Sequence, residues 1–203
     1  MTARVLLATR NAKKLAELQR ILDAALGADA VIMVGVDDVT AYPDVPETGL
    51  TFEENALLKA RAGARNTGLP AVADDSGIAI DALGGMPGVF SARWAGRRAN
   101  DQANNELVLD QLADVPDERL GAAFVCAAAL VLPDGREHVT FGRQPGRLVR
   151  IARGQAGFGY DPIFVADGQE RTNAELTPAE KDAISHRGKA FRALAEMLAK
   201  ELP

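Results

Sequence analysis

Short apolar runs that alternate with segments of helical period constrain this chain more than any other feature. Val5-Leu6-Leu7-Ala8 is apolar throughout and gives way to polar residues, after which Leu15, Leu18, Ile21, Leu22 and Leu26 fall on one face of a helix. The pattern predicts a strand, a tight polar loop and a helix. Val31 to Val36 reads as a second strand, and the polar segment Asp37 to Leu50 as a loop. Thr51 and Glu54 form a capping box that opens a helix from Phe52 towards Asn66, with Phe52, Ala56, Leu57, Ala60 and Ala64 at helical spacing. Gly68 and Pro70 stop it before a strand at Ala71-Val72-Ala73. Asp74-Asp75-Ser76-Gly77 then interrupts the apolar pattern, and Ile78-Ala-Ile80 resumes it.

The second half adds a different signature. A Gly/Pro-rich stretch from Gly84 to Ala99 is long for a loop, and its Phe90 and Trp94 predict ordered packing. A helix follows from Asp101 to Leu112. Phe124 to Leu132, the turn Pro133-Asp134-Gly135, and Glu137 to Phe141 read as a β-hairpin. Two helices end the chain, one opened by Thr177-Pro178-Ala179-Glu180 and one capped by Ser185, with Phe191, Leu194, Met197 and Leu198 on its apolar face. Early βα alternation with a later antiparallel hairpin predicts an α/β fold with a mixed sheet flanked by helices.

Size and charge bound the function. With 203 residues, 47% of them hydrophobic, the chain supports one sizeable core or two lobes sharing a sheet, and one compact unit is expected. A net charge of -5 argues against a protein that wraps duplex nucleic acid, so any anion bound must be small and met by local positive charge. The lone cysteine, Cys126, falls in an apolar run and is expected to be a buried, inert thiol, in keeping with a reducing cytoplasm. The apolar stretch before Arg10 is too short for a signal-peptide core or a membrane span.

Four groups of residues could carry chemistry. The loop Thr9-Arg10-Asn11-Ala12-Lys13-Lys14 joins a strand to a helix N-terminus, where an anion can be met; a plain helix cap with solvated lysines is the alternative, and the glycines of a Walker loop are absent. Asp74 and Asp75 end an apolar strand, and adjacent strand residues point to opposite faces, so one of them would face a given site. With Glu47, that carboxylate would give Mg²⁺ two oxygen ligands; an Asx-turn is the alternative. Lys59, within a helix, and Lys181, His186, Arg187 and Lys189, at a helix junction, are either solvated charge or an anion cradle. Gly157-Phe158-Gly159-Tyr160-Asp161-Pro162 offers aromatic rings held by glycines and a carboxylate, suited to stacking on a planar base and hydrogen-bonding its edge, or else is a packed turn. His138 lies in the hairpin and reads as structural.

Together these segments resemble the inosine triphosphatase family, the Ham1-like pyrophosphatases of noncanonical purine nucleoside triphosphates. Thr9-Arg-Asn-Ala-Lys-Lys14, Glu47-Thr-Gly-Leu-Thr-Phe-Glu-Glu-Asn-Ala56, Ala73-Asp-Asp-Ser-Gly77, Pro87-Gly-Val-Phe-Ser-Ala-Arg93, Phe158-Gly-Tyr-Asp-Pro162 and Ser185-His-Arg-Gly188 stand in family order across nearly the whole chain. The resemblance implies a long central mixed sheet, two lobes with a substrate cleft between them, and a homodimer. It implies that Lys14, Lys59, Lys181 and Arg187 meet the triphosphate with help from the Thr9–Lys14 backbone, that Glu47 and Asp75 hold Mg²⁺, and that Asp75 accepts a proton from the attacking water. Ser76 would contact substrate, Phe158 would stack on the purine, and Gly159, Tyr160, Asp161, His186 and Arg187 would shape a pocket for a 6-keto base. Lys13 stands where many members have glycine. The competing readings are a Maf-like pyrophosphatase for modified pyrimidine nucleotides, which the Phe158–Asp161 and Ser185–Arg187 motifs disfavour, and a nucleotide sensor without turnover.

Overall fold

The first apolar run forms β1 (Ala3–Leu7), and the leucine stripe after it lies on α1 (Ala12–Leu26). The computed structural model describes residues 3–9, 12–28, 30–39, 41–97 and 100–202. β2 (Val31–Val34) pairs parallel with β1, as a helical crossover allows. It ends earlier than predicted, because Val36–Asp38 turns into a 3-10 helix in which the Asp38 carboxylate accepts the Gly35 N–H at 2.9 Å. α2 (Phe52–Thr67) opens on the predicted capping box: Thr51 Oγ1 accepts from the Glu54 N–H, and the Glu54 carboxylate accepts from the Thr51 N–H. Gly68 closes it in the left-handed region at φ +68°.

β3 (Ala71–Ile80) is one continuous strand, paired parallel with β1. The predicted interruption at Asp74–Gly77 does not occur, since the carboxylates find partners on other elements and leave the backbone extended. Gly88–Arg93 forms a 3-10 turn within the long Gly/Pro stretch; Trp94 after it packs on the core and donates to Gln111 Oε1, whereas Phe90 is 41% exposed, and residues 98–99 lie outside the described residues. α3 (Asp101–Gln111), β4 (Gly121–Val131) and β5 (Glu137–Leu148) follow. The hairpin turn is closed by Leu132 N–H donating to Arg136 O; β4 begins before its predicted start and stops just short of Leu132, and β5 runs on past Phe141. A short β6 (Phe164–Ala166), which the sequence pattern did not reveal, pairs antiparallel with β5. α4 (Pro178–Ile184) and α5 (His186–Glu201) complete the α/β fold, whose six-stranded mixed sheet has the order β2-β1-β3-β4-β5-β6.

The chain divides into two compact units, the first comprising Met1–Asp75, Cys126–Gly142 and Arg187–Pro203, the second Ser76–Val125 and Arg143–His186. In the first unit, strand alternation sorts side chains between two layers. Val5, Leu7, Val72, Cys126 and Ala128 pack with Leu18, Ile21 and Leu22 of α1 and with Phe191 and Leu194 of α5. Leu6, Ala8, Ala71, Ala73, Ala127 and Ala129 pack with Ala56, Ala60 and Ala64 of α2. Helices thus cover both faces, which explains why these strands are apolar without a polar alternation. In the second unit Ile78, Ile80, Phe124, Leu148, Ile163 and Phe164 form a core with Val108 of α3 and with Leu112, which caps it. Cys126 is fully buried, and that burial pushes its thiol pKa up, so it is inert as expected. No helix among the described residues is long and apolar enough to cross a membrane.

The small residues of α2 let it approach the sheet closely. A Cβ on Gly63 would lie 2.7 Å from Leu6 Cδ2 and 3.1 Å from Ala71 Cβ, both on fully buried residues. Replacing Gly63 by valine is therefore expected to destabilise the fold by ~1–3 kcal/mol through overpacking, although glycine is itself a poor helix former. Denaturant unfolding of Gly63→Val measures this, and an unchanged midpoint would contradict the close approach.

Candidate active site

Asp74 and Asp75 are neighbours on β3, so their side chains leave the strand on opposite faces. Asp74 shares the parity of Val72 and points into the layer of α1 and α5. There its Oδ1 and Oδ2 accept from Lys14 Nζ at 2.9 and 3.0 Å, and Oδ2 also accepts from Arg187 Nε at 3.1 Å. Arg187 in turn donates from Nη1 to Glu17 Oε2 at 3.0 Å. Burial alone would raise the Asp74 pKa, but Lys14 and Arg187 outweigh it and hold the carboxyl far below the usual carboxylate range. Arg187 is only 2% exposed and its charge is strongly favoured by Asp74 and Glu17 against the cost of burial.

Asp75 shares the parity of Ala73 and points into the α2 layer. Asn55 Nδ2, on the first half of α2, donates to its Oδ2 at 3.0 Å. One turn along the same face, Lys59 Nζ donates to Glu47 Oε1 at 2.8 Å and lies 3.7 Å from Asp75 Oδ1. A single ammonium therefore gathers the two carboxylates named from sequence as metal ligands. Its own pKa is raised, because Asp75, Asp74 and Glu47 together outweigh the burial that would lower it. The outcome at Asp75 is the reverse of that at Asp74: burial raises its pKa, Glu47 adds to the rise, and Lys59, Asn55 and Lys14 compensate only in part. Glu47 and Asp75 thus bring two carboxylates to one ammonium, with Asp75 the more basic for its burial. Among the described residues no third His, Cys, Asp or Glu joins a metal-binding group.

Thr9 follows β1, half-buried, with its N–H on Leu7 O at 2.8 Å. Arg10 and Asn11 lie outside the described residues, as do the side chains of Ala12 and Lys13. Ser76 is half-buried on β3, the first residue of the second unit.

In the second unit the Gly157–Pro162 motif folds around the carboxylate of Asp161. Asp161 Oδ2 accepts from the Phe158 N–H at 2.9 Å and from Lys181 Nζ at 2.5 Å, and Oδ1 accepts from Asn173 Nδ2 at 3.2 Å. With φ at +75°, Gly157 passes so close that a Cβ would lie 2.2 Å from Asp161 Oδ2, so only glycine fits. Asp161 is 2% exposed and both its oxygens are engaged, so it supports the loop; the sequence had suggested it for the edge of a base. Lys181 Nζ lies 5.1 Å from the centre of the Phe158 ring, a cation–π distance, and belongs with this motif. Tyr160 is buried and its hydroxyl donates to Ser91 O at 2.8 Å. His186 is buried and stacks on Phe124, with ring centres 4.8 Å apart and planes 9° apart.

Several participants were not anticipated. Asn55 and Glu17 are buried polar residues beside the apolar stripes of their helices, and no local pattern singles them out. Asp74 was named only as one of a pair. Its role as the counterion of Lys14 and Arg187 spans residues too distant in sequence for any local pattern to show.

A parallel-stranded α/β core, a carboxylate pair gathered on an ammonium, and a glycine-bounded aromatic loop define an α/β protein equipped for a small polyanion. The chain belongs to the Ham1 family, whose pattern matches residues 5–197. It is 64% identical over 197 residues to the dITP/XTP pyrophosphatase of Nocardia farcinica, covering 97% of this chain and 95% of that protein. Among solved structures it is similar to the nucleoside-triphosphatase / dITP/XTP pyrophosphatase of Mycobacterium abscessus, with 59% identity, TM-score 0.76 and coverage of 96% and 98% of the two chains. The Ham1 protein of Coxiella burnetii has 42% identity and TM-score 0.87 over 98% of this chain and 99% of its own.

The opposite electrostatics of the adjacent aspartates give opposite expectations for stability at neutral pH. A depressed carboxyl such as Asp74 stabilises the fold at every pH above its unfolded value, about 3.9, and loses this only as pH falls through the lower folded value. A raised carboxyl such as Asp75 costs stability once pH rises above the unfolded value, and the cost is complete above the folded one. Asp74→Asn should thus lose ~3–5 kcal/mol, because Lys14 and Arg187 lose the buried carboxylate that binds both. Asp75→Asn should hold or increase stability. Denaturant unfolding of both variants at pH 7.5 decides the matter, and equal losses would refute the division of roles.

Proposed function

We propose that this chain hydrolyses noncanonical purine nucleoside triphosphates, such as dITP, ITP and XTP, to the monophosphate and pyrophosphate. The observation that carries this reading is the convergence of Glu47 and Asp75 on the Lys59 ammonium, since a point that attracts one cation between two carboxylates suits another. Glu47 and Asp75 would hold a divalent ion, Mg²⁺ in this reading, because Mg²⁺ binds through one or two carboxylates and leaves its other positions to water and substrate phosphates. Bound there, the ion supplies positive charge against the departing pyrophosphate and makes a nearby water easier to deprotonate.

The remaining work falls to side chains. Water attacks the α-phosphorus, the bond to the β-phosphate bridging oxygen breaks, and the water's proton passes to the Asp75 carboxylate. Burial and Glu47 make that carboxylate a stronger base than an exposed one. Asn55 holds Oδ2 and so fixes the direction of the accepting oxygen. Lys14 and Lys59, both with 16% of the side chain exposed, supply charge to the phosphates, and Arg187 holds Asp74 so that Lys14 is presented. Such charge stabilisation is the main catalytic requirement of phosphoryl transfer.

A nucleotide also has a planar base, and the loop of the second unit suits it. Phe158 offers a stacking surface, and the Lys181 ammonium beside it is a donor. Hypoxanthine and xanthine present an accepting carbonyl where adenine presents an amino group, so donors in a base site disfavour ATP. The single buried Cys126 supports a reducing cytoplasmic setting. A sensor without turnover would need neither a raised carboxylate nor the Glu47 partner, so catalysis is the better reading.

With Mg²⁺ present, ITP is expected to give the monophosphate and pyrophosphate at least about a hundred-fold faster than ATP, judged by kcat/KM. Asp75→Asn should lower kcat by ~10²–10⁴-fold while calorimetry still detects ITP binding. Orthophosphate as the first product would place the cleaved bond elsewhere, and an Asp75→Asn variant with full turnover would remove Asp75 from the chemistry.

A further inference from the structure

We propose that Asp101 and Asn105 are positioning residues for base selection, acting as a clamp on Gly159 that sets the Phe158 ring; this rests on the reading of Phe158 as the surface that meets the purine. The geometry begins with the start of α3. Asn100 accepts the Ala103 N–H at 2.9 Å and fixes where the helix begins. Asp101 then stands at the first helical position and Asn105 one turn on, so the two side chains share a face.

That face grips a single residue. Asp101 Oδ2 accepts the Gly159 N–H at 2.6 Å, and Asn105 Nδ2 donates to the Gly159 carbonyl at 3.1 Å. An acceptor on the N–H and a donor on the carbonyl hold both peptide groups of one residue, so it can neither flip nor rotate without losing a bond. Gly159 sits at φ +63°, in the left-handed region, where only an external hold keeps a flexible glycine in one conformation. On the preceding residue, the Phe158 N–H is held by Asp161. The backbone on both sides of the Phe158 ring is therefore fixed, on one side from within the loop and on the other from α3.

The platform itself is rigid. Val108 and Leu112 anchor α3 in the core, and Asn104 Oδ1 accepts the Ala95 N–H at 2.8 Å. Asn105 carries a cost that its packing does not explain: it is 9% exposed, and its Oδ1 has no hydrogen-bond partner among the described residues. A buried acceptor without a donor is unfavourable, and an apolar side chain would avoid it. The amide's donor, directed at Gly159, is what an apolar residue would lack. A reversed amide would set Oδ1 against the Gly159 carbonyl, so the orientation follows from the contact.

Steady-state kinetics on ITP and ATP, with Asp101→Leu, Asn105→Asp and Asp101→Asn, test the clamp. Asp101→Leu removes the acceptor at an exposed position, and Asn105→Asp sets a carboxylate against the Gly159 carbonyl. Each is expected to raise KM for ITP about ten-fold and to shrink the ITP-over-ATP preference by a similar factor, with kcat within about two-fold. Asp101→Asn keeps an oxygen acceptor and should restore most of the loss. Phe158→Ala is measured alongside. If it shifts KM and preference while folded Asp101→Leu does not, or if Asp101→Leu lowers kcat alone, the clamp is overturned and the base-stacking reading survives. If Phe158→Ala changes neither quantity, the reading beneath the clamp fails and the clamp with it.

Discussion

Two consecutive carboxylates on one extended strand cannot share an environment, and most of the chemistry of the first unit follows from that restriction. The pleat sends Asp74 towards α1 and α5 and Asp75 towards α2. Each helix layer then supplies its own cations. Asp74 receives two, and its charge is fully neutralised within the fold. Asp75 shares Lys59 with Glu47, and burial raises its pKa. A difference of one residue along β3 thus gives one carboxylate a depressed pKa and the next a raised one. Two aspartates at alternate positions would have shared a layer and competed for its lysine.

The same economy appears in how the chain holds positive charge. The net charge is -5, so acids outnumber bases over the chain. Its functional cations are tied individually: Lys14 to Asp74, Lys59 to Glu47, Arg187 to Asp74 and Glu17, and Lys181 to Asp161. Buried pairs of this kind add little net stability, because desolvation offsets the attraction. They do place each ammonium or guanidinium before a ligand arrives, so less ordering remains to be done on binding. Lys14 and Lys59 lie at the margin of burial, whereas Arg187 is enclosed by two acids.

What could be read in the sequence was what repeats locally. The leucine stripe of α1, the Thr51–Glu54 box and the Thr177–Glu180 box depend on neighbours a turn apart, and all three stand as predicted. The strand ends were less visible. Asp74–Gly77 looked like a break because two adjacent acids in an apolar strand are costly to bury, and nothing nearby shows the cations that offset the cost. Those cations come from α1, α2 and α5, segments remote from β3 in the chain. β6 is three residues long and earns its place by pairing with β5, which no periodicity can register. Glu47 and Asp75 were nameable through the family likeness, whereas Asn55, Glu17 and Asn105 are single polar residues whose meaning lies wholly in tertiary contacts.

Asp161 illustrates how a side chain named from a motif can hold the motif's own backbone. A carboxylate next to a stacking ring invites the inference that it reads the edge of a base. Its two oxygens already take the Phe158 N–H, the Lys181 ammonium and the Asn173 amide, and a base would have to displace one of these from a site 2% exposed. The acid instead fixes the backbone of Phe158 and the position of Lys181. Removing it would therefore disturb stacking and donor placement together, which makes it a poor probe of either. Lys181 is the donor that this carboxylate positions beside the Phe158 ring.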